Sequence, residues 1–197
     1  VQVKSIFSHL AASDEKEQEK FSNQQAQLFT RNSDVITSEL NISPSRHILN
    51  STGILRFPQY HFEMVRLGIG LYGIDGHGYQ QEALQAIGSL KTVVSQLKQI
   101  SKGETIGYGR KGVANKDLTI ATIAIGYADG YSRAFSNGVG SVWVNGKRAP
   151  VIGNVCMDMT MIDVTGIPVE EGDEVEIFGD NLPLQEVAER INTIPYE

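Results

Sequence analysis

The distribution of hydrophobic and polar positions changes near residue 88. Before this point, short apolar runs alternate with longer polar stretches, which is typical of strands that alternate with helices. After it, short strand-like runs recur between tight turns, which indicates a mainly β region, closed or sandwiched. The sequence therefore predicts two domains, an α/β domain over residues 1–87 and a β-rich domain over residues 88–197.

In the α/β part, polar residues collect where apolar runs end, which favours parallel strands that present these residues at one edge. Asp14 and Glu17 have the spacing of a capping box, and they predict a helix that runs to about Phe29. The sparse apolar positions of this helix, Phe21, Leu28 and Phe29, predict one narrow inward stripe. Strands are predicted over residues 3–8, 47–49 and 64–68, with polar connections over 41–45 and 73–88.

In the β part, an apolar run over residues 118–125 leads into Gly126 and Gly130, which bracket Tyr127. β-Branched residues favour a strand in this run, and the glycines allow a tight turn after it. Tyr127 is therefore predicted at the mouth of a buried strand, where it faces a ligand or plugs the end of a sheet. The other predicted elements are an Asn145-Gly146 hairpin over 142–152, strands over 89–100, 159–164 and 174–178, and a helix carrying Leu184, Val187, Ala188 and Ile191.

Composition narrows the classes of function. The net charge of −6 and the pI of about 5.3 argue against a nucleic-acid partner, which requires a basic surface. The single cysteine, Cys156, excludes an internal disulfide and favours a reducing, cytoplasmic location. No apolar run approaches the roughly 18 residues that a membrane span requires, so no membrane partner is expected. The abrupt first and last residues lead us to expect a fragment or a processed product.

Several groups at predicted strand ends carry candidate chemistry. Taken alone, each has an ordinary structural explanation, such as a core histidine, a helix cap, a surface ion pair or a sheet plug. Together they are more informative, because a hydroxyl, backbone N–H groups in a glycine turn and a helix N-terminus are what a phosphate group needs. A permanent cation among them can bond a ring nitrogen or an anion. The groups are His9, Asn50 with Ser51, Arg66 with Gly68 and Ile69, and Tyr127.

Two other residue types are assigned structural roles. Cys156 has no obvious base nearby in the sequence and is assigned to packing. His47, His61 and His77 lack the spacing of metal ligands, so no metal site is predicted.

Six short motifs follow one another along nearly the whole chain. They are Phe7-Ser8-His9-Leu10-Ala11-Ala12-Ser13-Asp14, His47-Ile48-Leu49-Asn50-Ser51, Val65-Arg66-Leu67-Gly68-Ile69-Gly70-Leu71-Tyr72-Gly73, Gly107-Tyr108-Gly109, residues 125–130 and Gly153-Asn154-Val155-Cys156-Met157-Asp158. No single motif is specific, but the combination and its order are. By these motifs the chain resembles bacterial alanine racemase, a family of pyridoxal-phosphate enzymes.

The resemblance implies a fold and a cofactor site. The fold would be the last part of a TIM-type (β/α)8 barrel followed by a mainly β C-terminal domain. Ser51, Gly68 and Ile69 would bind the cofactor phosphate, and His9 and Asn50 would belong to the same cofactor-binding set. Arg66 would face the pyridine nitrogen, which would disfavour protonation of the ring and favour simple return of the proton.

The resemblance also implies a reaction. Alanine would be racemised by two-base proton transfer on a pyridoxal 5'-phosphate aldimine, which would supply D-alanine for peptidoglycan. Tyr127 would be one base, with His9 hydrogen-bonded near it, and the backbone N–H of Met157 would hold the substrate carboxylate. In the implied homodimer, Tyr127 and Met157 serve the partner's site, whereas Ser51 and Arg66 serve their own.

The chain departs from the family pattern in two respects. The family's second base is a Schiff-base lysine in a Lys-Ala-Asn-Ala-Tyr-Gly-His motif that this sequence lacks, so the chain alone is expected to be inactive. Asn154 stands where many relatives carry arginine, which alters the expected substrate entrance.

Two alternative functions stay open: a related racemase for serine or another small amino acid, and a non-catalytic β-barrel interaction module.

Overall fold

The computed structural model describes residues 2–75 and 81–197. It divides into two compact units, Val1–Ile87 and Gly88–Glu197. His77 and the centre of the predicted connection over 73–88 lie outside the described residues. Among the residues that are described, no helix combines the length and the hydropathy needed to cross a bilayer.

The first unit is built on two short parallel strands, β1 (Ser5–Phe7) and β2 (Ser45–His47). Helix α1 (Glu19–Leu40) connects them, and helix α2 (Ser51–Arg56) follows β2. The register places Phe7 opposite His47, so both strands end at the same edge. Parallel pairing is therefore confirmed, although the second strand lies at Ser45–His47 and not at the predicted 47–49. The residues that follow the two strands meet at that edge.

The boundaries predicted for α1 are wrong at both ends. The helix begins at Glu19 after a 3-10 turn over Lys16–Gln18, and no side chain caps its first turn. It continues past Phe29 to Leu40, where Asn41 takes the left-handed conformation with φ 51°.

The predicted narrow inward stripe of α1 is present and includes Phe29, but small residues rather than Phe21 and Leu28 form the rest of the buried face. Ser22, Ala26 and Ser33 are buried along with Phe29, at intervals that follow one side of the helix. Phe21 and Leu28 are each 48% exposed. Close packing of serine and alanine leaves no apolar periodicity in the sequence, which is why the helix was predicted too short.

The third strand predicted in this unit, over residues 64–68, is wrong. The segment carries no strand, although the N–H of Arg66 donates to the carbonyl of Leu49 at 3.0 Å. Its apolar side chains, Met64, Val65 and Leu67, are exposed, so its hydrophobic pattern does not reflect burial in a sheet. A single backbone bond does not make a ladder, but it aligns Arg66 with the edge where β1 and β2 end.

The second unit is an antiparallel sheet of six strands, and its mainly β character is confirmed. The strands of this unit are β3 (Leu90–Ile100), β4 (Thr105–Ile106), β5 (Gly112–Val113), β6 (Leu118–Ile123), β7 (Ser141–Val144), β8 (Lys147–Pro150), β9 (Thr160–Asp163) and β10 (Glu174–Phe178). Strands β4 and β5 pair separately, and the other six lie side by side in the order β8-β7-β10-β3-β6-β9. An antiparallel bridge between Val151 and Ile162 joins the two ends of this sheet, and the Ile152 N–H donates to the Met161 carbonyl at 2.9 Å beside it.

The core of this unit lies inside the closed sheet and beneath helix α3 (Leu184–Glu189). Alternate residues of β7, Val142 and Val144, are buried, as period-2 patterning requires. The hairpin prediction is confirmed: β7 and β8 pair around Asn145 at φ 44° and Gly146 at φ 80°, which are the left-handed positions of a tight hairpin turn.

Ion pairs of Glu186 in α3 link this helix to Arg148 of strand β8. The carboxylate of Glu186 accepts from both terminal nitrogens of Arg148 and, at 2.8 Å, from Arg190. These bonds, first from Arg148 and then from Arg190, lower the pKa of Glu186 to about 2 from an ordinary value of 4.5. Because its folded-state pKa is depressed, Glu186 stabilises the fold above about pH 4.5, and this contribution is lost as the pH falls towards about 2.

We predict that Glu186→Gln lowers the free energy of unfolding near neutral pH by up to about 1 kcal/mol, a modest value because solvent screens the pair. Urea denaturation of the 197-residue chain across acid and neutral pH measures the effect. The difference from the parent chain should shrink as the pH falls through the acid range. Glu189→Gln, an exposed change on the same helix, is the control. A deficit in the Gln variant that stays constant with pH would contradict the assignment.

Candidate active site

Arg66 lies at the edge where β1 and β2 end. One terminal nitrogen of its guanidinium donates to the Ser8 carbonyl at 2.9 Å, and longer contacts reach the carbonyls of His47 and Ile48. The two terminal nitrogens also contact the Nδ1 atoms of His47 at 2.7 Å and of His9 at 2.9 Å. A guanidinium is permanently charged and rigid, so these contacts fix a cation in one orientation.

The same contacts assign the protonation of both histidines. Arginine has no acceptor, so Nδ1 of His9 and of His47 must accept and each ring carries its proton on Nε2. Burial, and secondarily the charge of Arg66, lowers the pKa of His47 below its ordinary value. The lowered pKa favours the neutral form of His47, in keeping with its Nδ1 as an acceptor.

Phe7 and His47 were missed by the sequence reasoning as parts of this site. Their rings stack with centroids 5.4 Å apart, and the Arg66 guanidinium lies 5.7 Å from the centre of the Phe7 ring. The available signal was positional, because each residue ends its strand and the two are partners in the parallel register. Together they support the cation from one side.

Ser51 organises the glycine turn that follows Arg66. Its hydroxyl oxygen accepts from the N–H groups of Gly68 at 2.8 Å and of Gly70 at 3.1 Å. The hydroxyl hydrogen remains a donor. Ile69 begins a 3-10 helix, Ile69–Tyr72, and the first N–H groups of a helix have no acceptor within it.

Asn50 is the N-cap of α2. Its side-chain oxygen accepts from the Gly53 N–H at 2.9 Å and from the buried Ser13 hydroxyl at 3.0 Å. This is the preferred chemistry of a helix N-cap, and it sets Ser51 as the first helical residue. The first unit thus brings His9, Asn50, Ser51, Arg66, Gly68 and Ile69 into one region. A hydroxyl, backbone N–H groups and a fixed cation form a donor set suited to a phosphate and a heterocyclic nitrogen.

In the second unit, Tyr127 and Met157 lie in two loops that bind each other through their backbones. Tyr127 N–H donates to the Cys156 carbonyl and Ala128 N–H donates to the Met157 carbonyl, both at 2.9 Å. The side chains of Tyr127 and Met157 are both exposed. Tyr127 therefore does not plug the sheet, and the two residues present themselves on the same pair of loops.

Gly126 permits this close approach. A Cβ atom there would lie 2.2 Å from the Met157 carbonyl oxygen and 2.4 Å from that of Cys156, and neither backbone can yield easily. The carboxylate of Asp129 accepts from the Gly126 N–H at 2.9 Å and closes the 3-10 turn Tyr127–Asp129. The glycine predicted from turn chemistry is thus required by the backbone contact across the two loops.

Tyr108 is a third exposed residue at these loops, and sequence reasoning gave it no role. Its side chain is 75% exposed, compared with 42% for Tyr127. It lies between β4 and β5, flanked by Gly107 and Gly109 with φ 74° and 67°, and its carbonyl accepts from Asn154 Nδ2 at 3.1 Å. The signal was the motif Gly107-Tyr108-Gly109, which carries a large aromatic residue between two glycines.

Cys156 is buried, in keeping with its assignment to packing. Its thiol donates weakly to the Asn154 carbonyl at 3.5 Å. Burial raises the pKa of the thiol, with a smaller opposing influence from Arg133, so it stays protonated at neutral pH. Among residues 2–75 and 81–197, no three His, Cys, Asp or Glu side chains gather in a way that could hold a metal ion.

Comparison with known proteins covers both units. The family profile described as "Alanine racemase, C-terminal domain" matches residues 87–197, and the profile "Alanine racemase, N-terminal domain" matches residues 1–76. Among curated proteins, alanine racemase 1 of Oceanobacillus iheyensis is 38% identical over 205 residues, covering 100% of this chain and 54% of that protein.

Solved structures give the same result. Alanine racemase from Bartonella henselae with covalently bound pyridoxal phosphate is 35% identical with a TM-score of 0.90, covering 100% of this chain and 53% of that one. Alanine racemase from Bacillus anthracis with bound L-Ala-P is 33% identical with a TM-score of 0.87, covering 99% of this chain and 52% of that one. The chain spans about half the length of the relatives it matches. With both of its units matched by the family's profiles, the chain belongs to the alanine racemase family.

Proposed function

We propose that the complete protein containing this chain interconverts L- and D-alanine with pyridoxal 5'-phosphate as cofactor. The observation that carries the proposal is the fixed guanidinium of Arg66 beside the Ser51 hydroxyl and the glycine turn, within a chain of this family. The Bartonella henselae relative is described with covalently bound pyridoxal phosphate, and the Bacillus anthracis relative with bound L-Ala-P.

The residues of the first unit fit the cofactor. The Ser51 hydroxyl and the Ile69 N–H are donors for a phosphate, and Gly68 and Gly70 keep the turn free of side chains next to that hydroxyl. When bound, pyridoxal phosphate draws electrons away from the substrate's α-carbon and makes its proton removable. Arg66 would present a donor that cannot be deprotonated to the ring nitrogen, which would keep that nitrogen unprotonated. His9 and His47 hold the guanidinium in that orientation, and Asn50 holds the start of α2.

The proton is transferred by a tyrosine of the second unit. The sequence points to Tyr127, with the Met157 N–H holding the substrate carboxylate. Exposure favours Tyr108 as a second candidate, since it is more exposed than Tyr127. Both tyrosines contact the segment that carries Met157, through Asn154 and Cys156 respectively. Either phenol can take or return a proton on one face of the substrate.

The wider setting follows from the family. Residues 1–87 would be the last strands and helices of a (β/α)8 barrel, and residues 88–197 the C-terminal domain. The active assembly would be a homodimer in which Tyr127 and Met157 complete the partner's site. The reaction would take place in the cytoplasm and supply D-alanine to peptidoglycan, in keeping with the single, buried cysteine.

Phenylalanine at the two tyrosine positions of the complete protein tests the base. Removal of a general base should lower kcat about 10²- to 10⁴-fold, and hydrogen abstraction should fall far more for one enantiomer than for the other. Deuterium uptake from solvent into L- and D-alanine measures each direction. Tyr127→Phe and Tyr108→Phe serve as mutual controls, with exposed Tyr196→Phe as a third. Equal residual rates for both enantiomers in both variants would remove both assignments.

Ser51→Ala tests the phosphate site. Loss of a hydrogen bond to a charged group, worth about 1.5–3 kcal/mol, should raise the Kd for pyridoxal phosphate roughly 10- to 100-fold. Titration of the apoprotein, followed by the visible absorbance of bound cofactor, measures Kd. Ser51→Thr retains the hydroxyl and should bind nearly as the parent does, and Ser5→Ala on exposed β1 is the control. Unchanged affinity in Ser51→Ala would exclude this serine as a phosphate ligand.

Hybrid dimers test the shared site. One subunit carries Arg66→Gln, and the other carries Tyr108→Phe together with Tyr127→Phe, so each homodimer should be inactive. If the tyrosines serve the partner's site, a hybrid contains one intact site, and random mixing should restore about a quarter of the parent activity. Activity after mixing and re-association of the differently tagged subunits is the measurement. No recovery in hybrids whose formation is verified by co-purification would place tyrosine and arginine in the same subunit's site.

A further inference from the structure

We propose that Asn154 is a positioning residue, which with Asn137 behind it sets Tyr108 relative to the segment that carries Met157. The inference rests on the proposed function and adds to it a residue that touches neither cofactor nor substrate. It concerns three loops of the second unit: 107–111, 133–138 and 153–158.

A chain of side-chain amides connects the three loops. Asn137 Nδ2 donates to Asn154 Oδ1 at 3.1 Å, and Asn154 Nδ2 donates to the Tyr108 carbonyl at 3.1 Å. The Asn137 N–H also donates to the Gly153 carbonyl at 2.8 Å. Asn154 therefore accepts from one loop and donates to another, so its amide orientation is fixed from both sides.

The residues that flank the 107–111 loop, Ile106 and Gly112, lie in close backbone contact with Gly153. A Cβ on Gly153 would lie 3.0 Å from the Ile106 carbonyl oxygen, and a Cβ on Gly112 would lie 3.0 Å from the Gly153 nitrogen. Glycine at these positions lets the loop that carries Tyr108 approach the Asn154 segment. The hydrogen bond from the Asn154 side chain to the Tyr108 carbonyl then fixes the position of the Tyr108 backbone along that contact.

The next residues of the Asn154 segment hold the other functional side chains. The Val155 N–H donates to the Ser136 hydroxyl at 3.0 Å, and the Cys156 and Met157 carbonyls bind the Tyr127 turn. Asn154 is thus the point at which the Tyr108 loop is attached to the frame shared by Tyr127 and Met157. A single hydrogen bond at a solvent-accessible site contributes modestly to global stability, so the loss of the Asn154–Tyr108 bond affects loop position more than folding.

The chain offers a matched control for each variant. Asn137 and Asn145 both take the left-handed conformation, with φ 57° and 44°, and both donate through Nδ2 to another loop. Glycine is compatible with this backbone, so Asn137→Gly and Asn145→Gly remove equivalent side chains without strain. Asn145 acts in the β7–β8 hairpin, where it binds the Pro168 carbonyl at 2.8 Å.

The test uses the complete protein with Asn154→Ala, Asn137→Gly and Asn145→Gly. We expect kcat for alanine racemisation to fall about 10-fold in Asn154→Ala and less in Asn137→Gly, with KM within about twofold, because the loop that carries Tyr108, the second candidate base, is displaced while substrate binding is kept. Hydrogen–deuterium exchange of residues 107–111 should rise in the first two variants. Asn145→Gly should leave both quantities at the parent values.

The two readouts separate this inference from the proposed function. If the parent protein does not racemise alanine, the proposed function fails, and exchange over residues 107–111 still decides whether Asn154 positions the Tyr108 loop. Exchange that does not change in Asn154→Ala and Asn137→Gly would overturn the inference. Faster exchange with parent kcat would also overturn it, because the loop's position would then have no consequence for the proton transfer.

Discussion

A permanent charge at the end of two parallel strands determines how the first unit is arranged. A guanidinium that is partly removed from water must find acceptors, or the loss of hydration costs several kcal/mol. Arg66 finds them in the Ser8 carbonyl, just past the end of β1, and in the Nδ1 atoms of His9 and His47. Because the acceptors belong to both strands, the cation ties the two strand ends together and sets the tautomers of both rings.

The glycine turn after Arg66 depends on the same anchoring. The backbone N–H of Arg66 donates to the Leu49 carbonyl, and two residues later the Gly68 N–H donates to the Ser51 hydroxyl oxygen. A change that released the guanidinium would therefore also release the donors beside it. A fixed cation and a phosphate-type donor set thus lie together in one short stretch of this small unit.

The sequence was informative where local chemistry decides the structure. Asn145-Gly146 predicts its hairpin because few residues tolerate the left-handed backbone, and β10 follows the predicted strand residue for residue. The sequence did not predict the length of α1, because the buried face of this helix consists mostly of small residues that give no hydrophobic periodicity. The other predictions that failed depended on tertiary contacts.

Two of these failures concern the site itself. Nothing in the sequence pairs Phe7 with His47, since their stacking depends on the parallel register of two distant strands. The prominence of Tyr108 depends on its exposure, which a motif does not reveal. Sequence reasoning named candidate residues whose own chemistry suggests a role, and it missed Phe7, His47 and Tyr108, whose places depend on their neighbours or on exposure.

The closure of the second unit's sheet has a mechanical consequence. Neighbouring strands elsewhere in the ring are paired by ladders, but its ends are joined by a single bridge at Val151 and the bond from Ile152. This seam is joined by a single bridge and one further hydrogen bond, so thermal breathing of the ring should begin there. The chain leaves the seam directly into Asn154 and Met157, so a fluctuation of the scaffold is transmitted first to the segment that holds the Tyr127 turn.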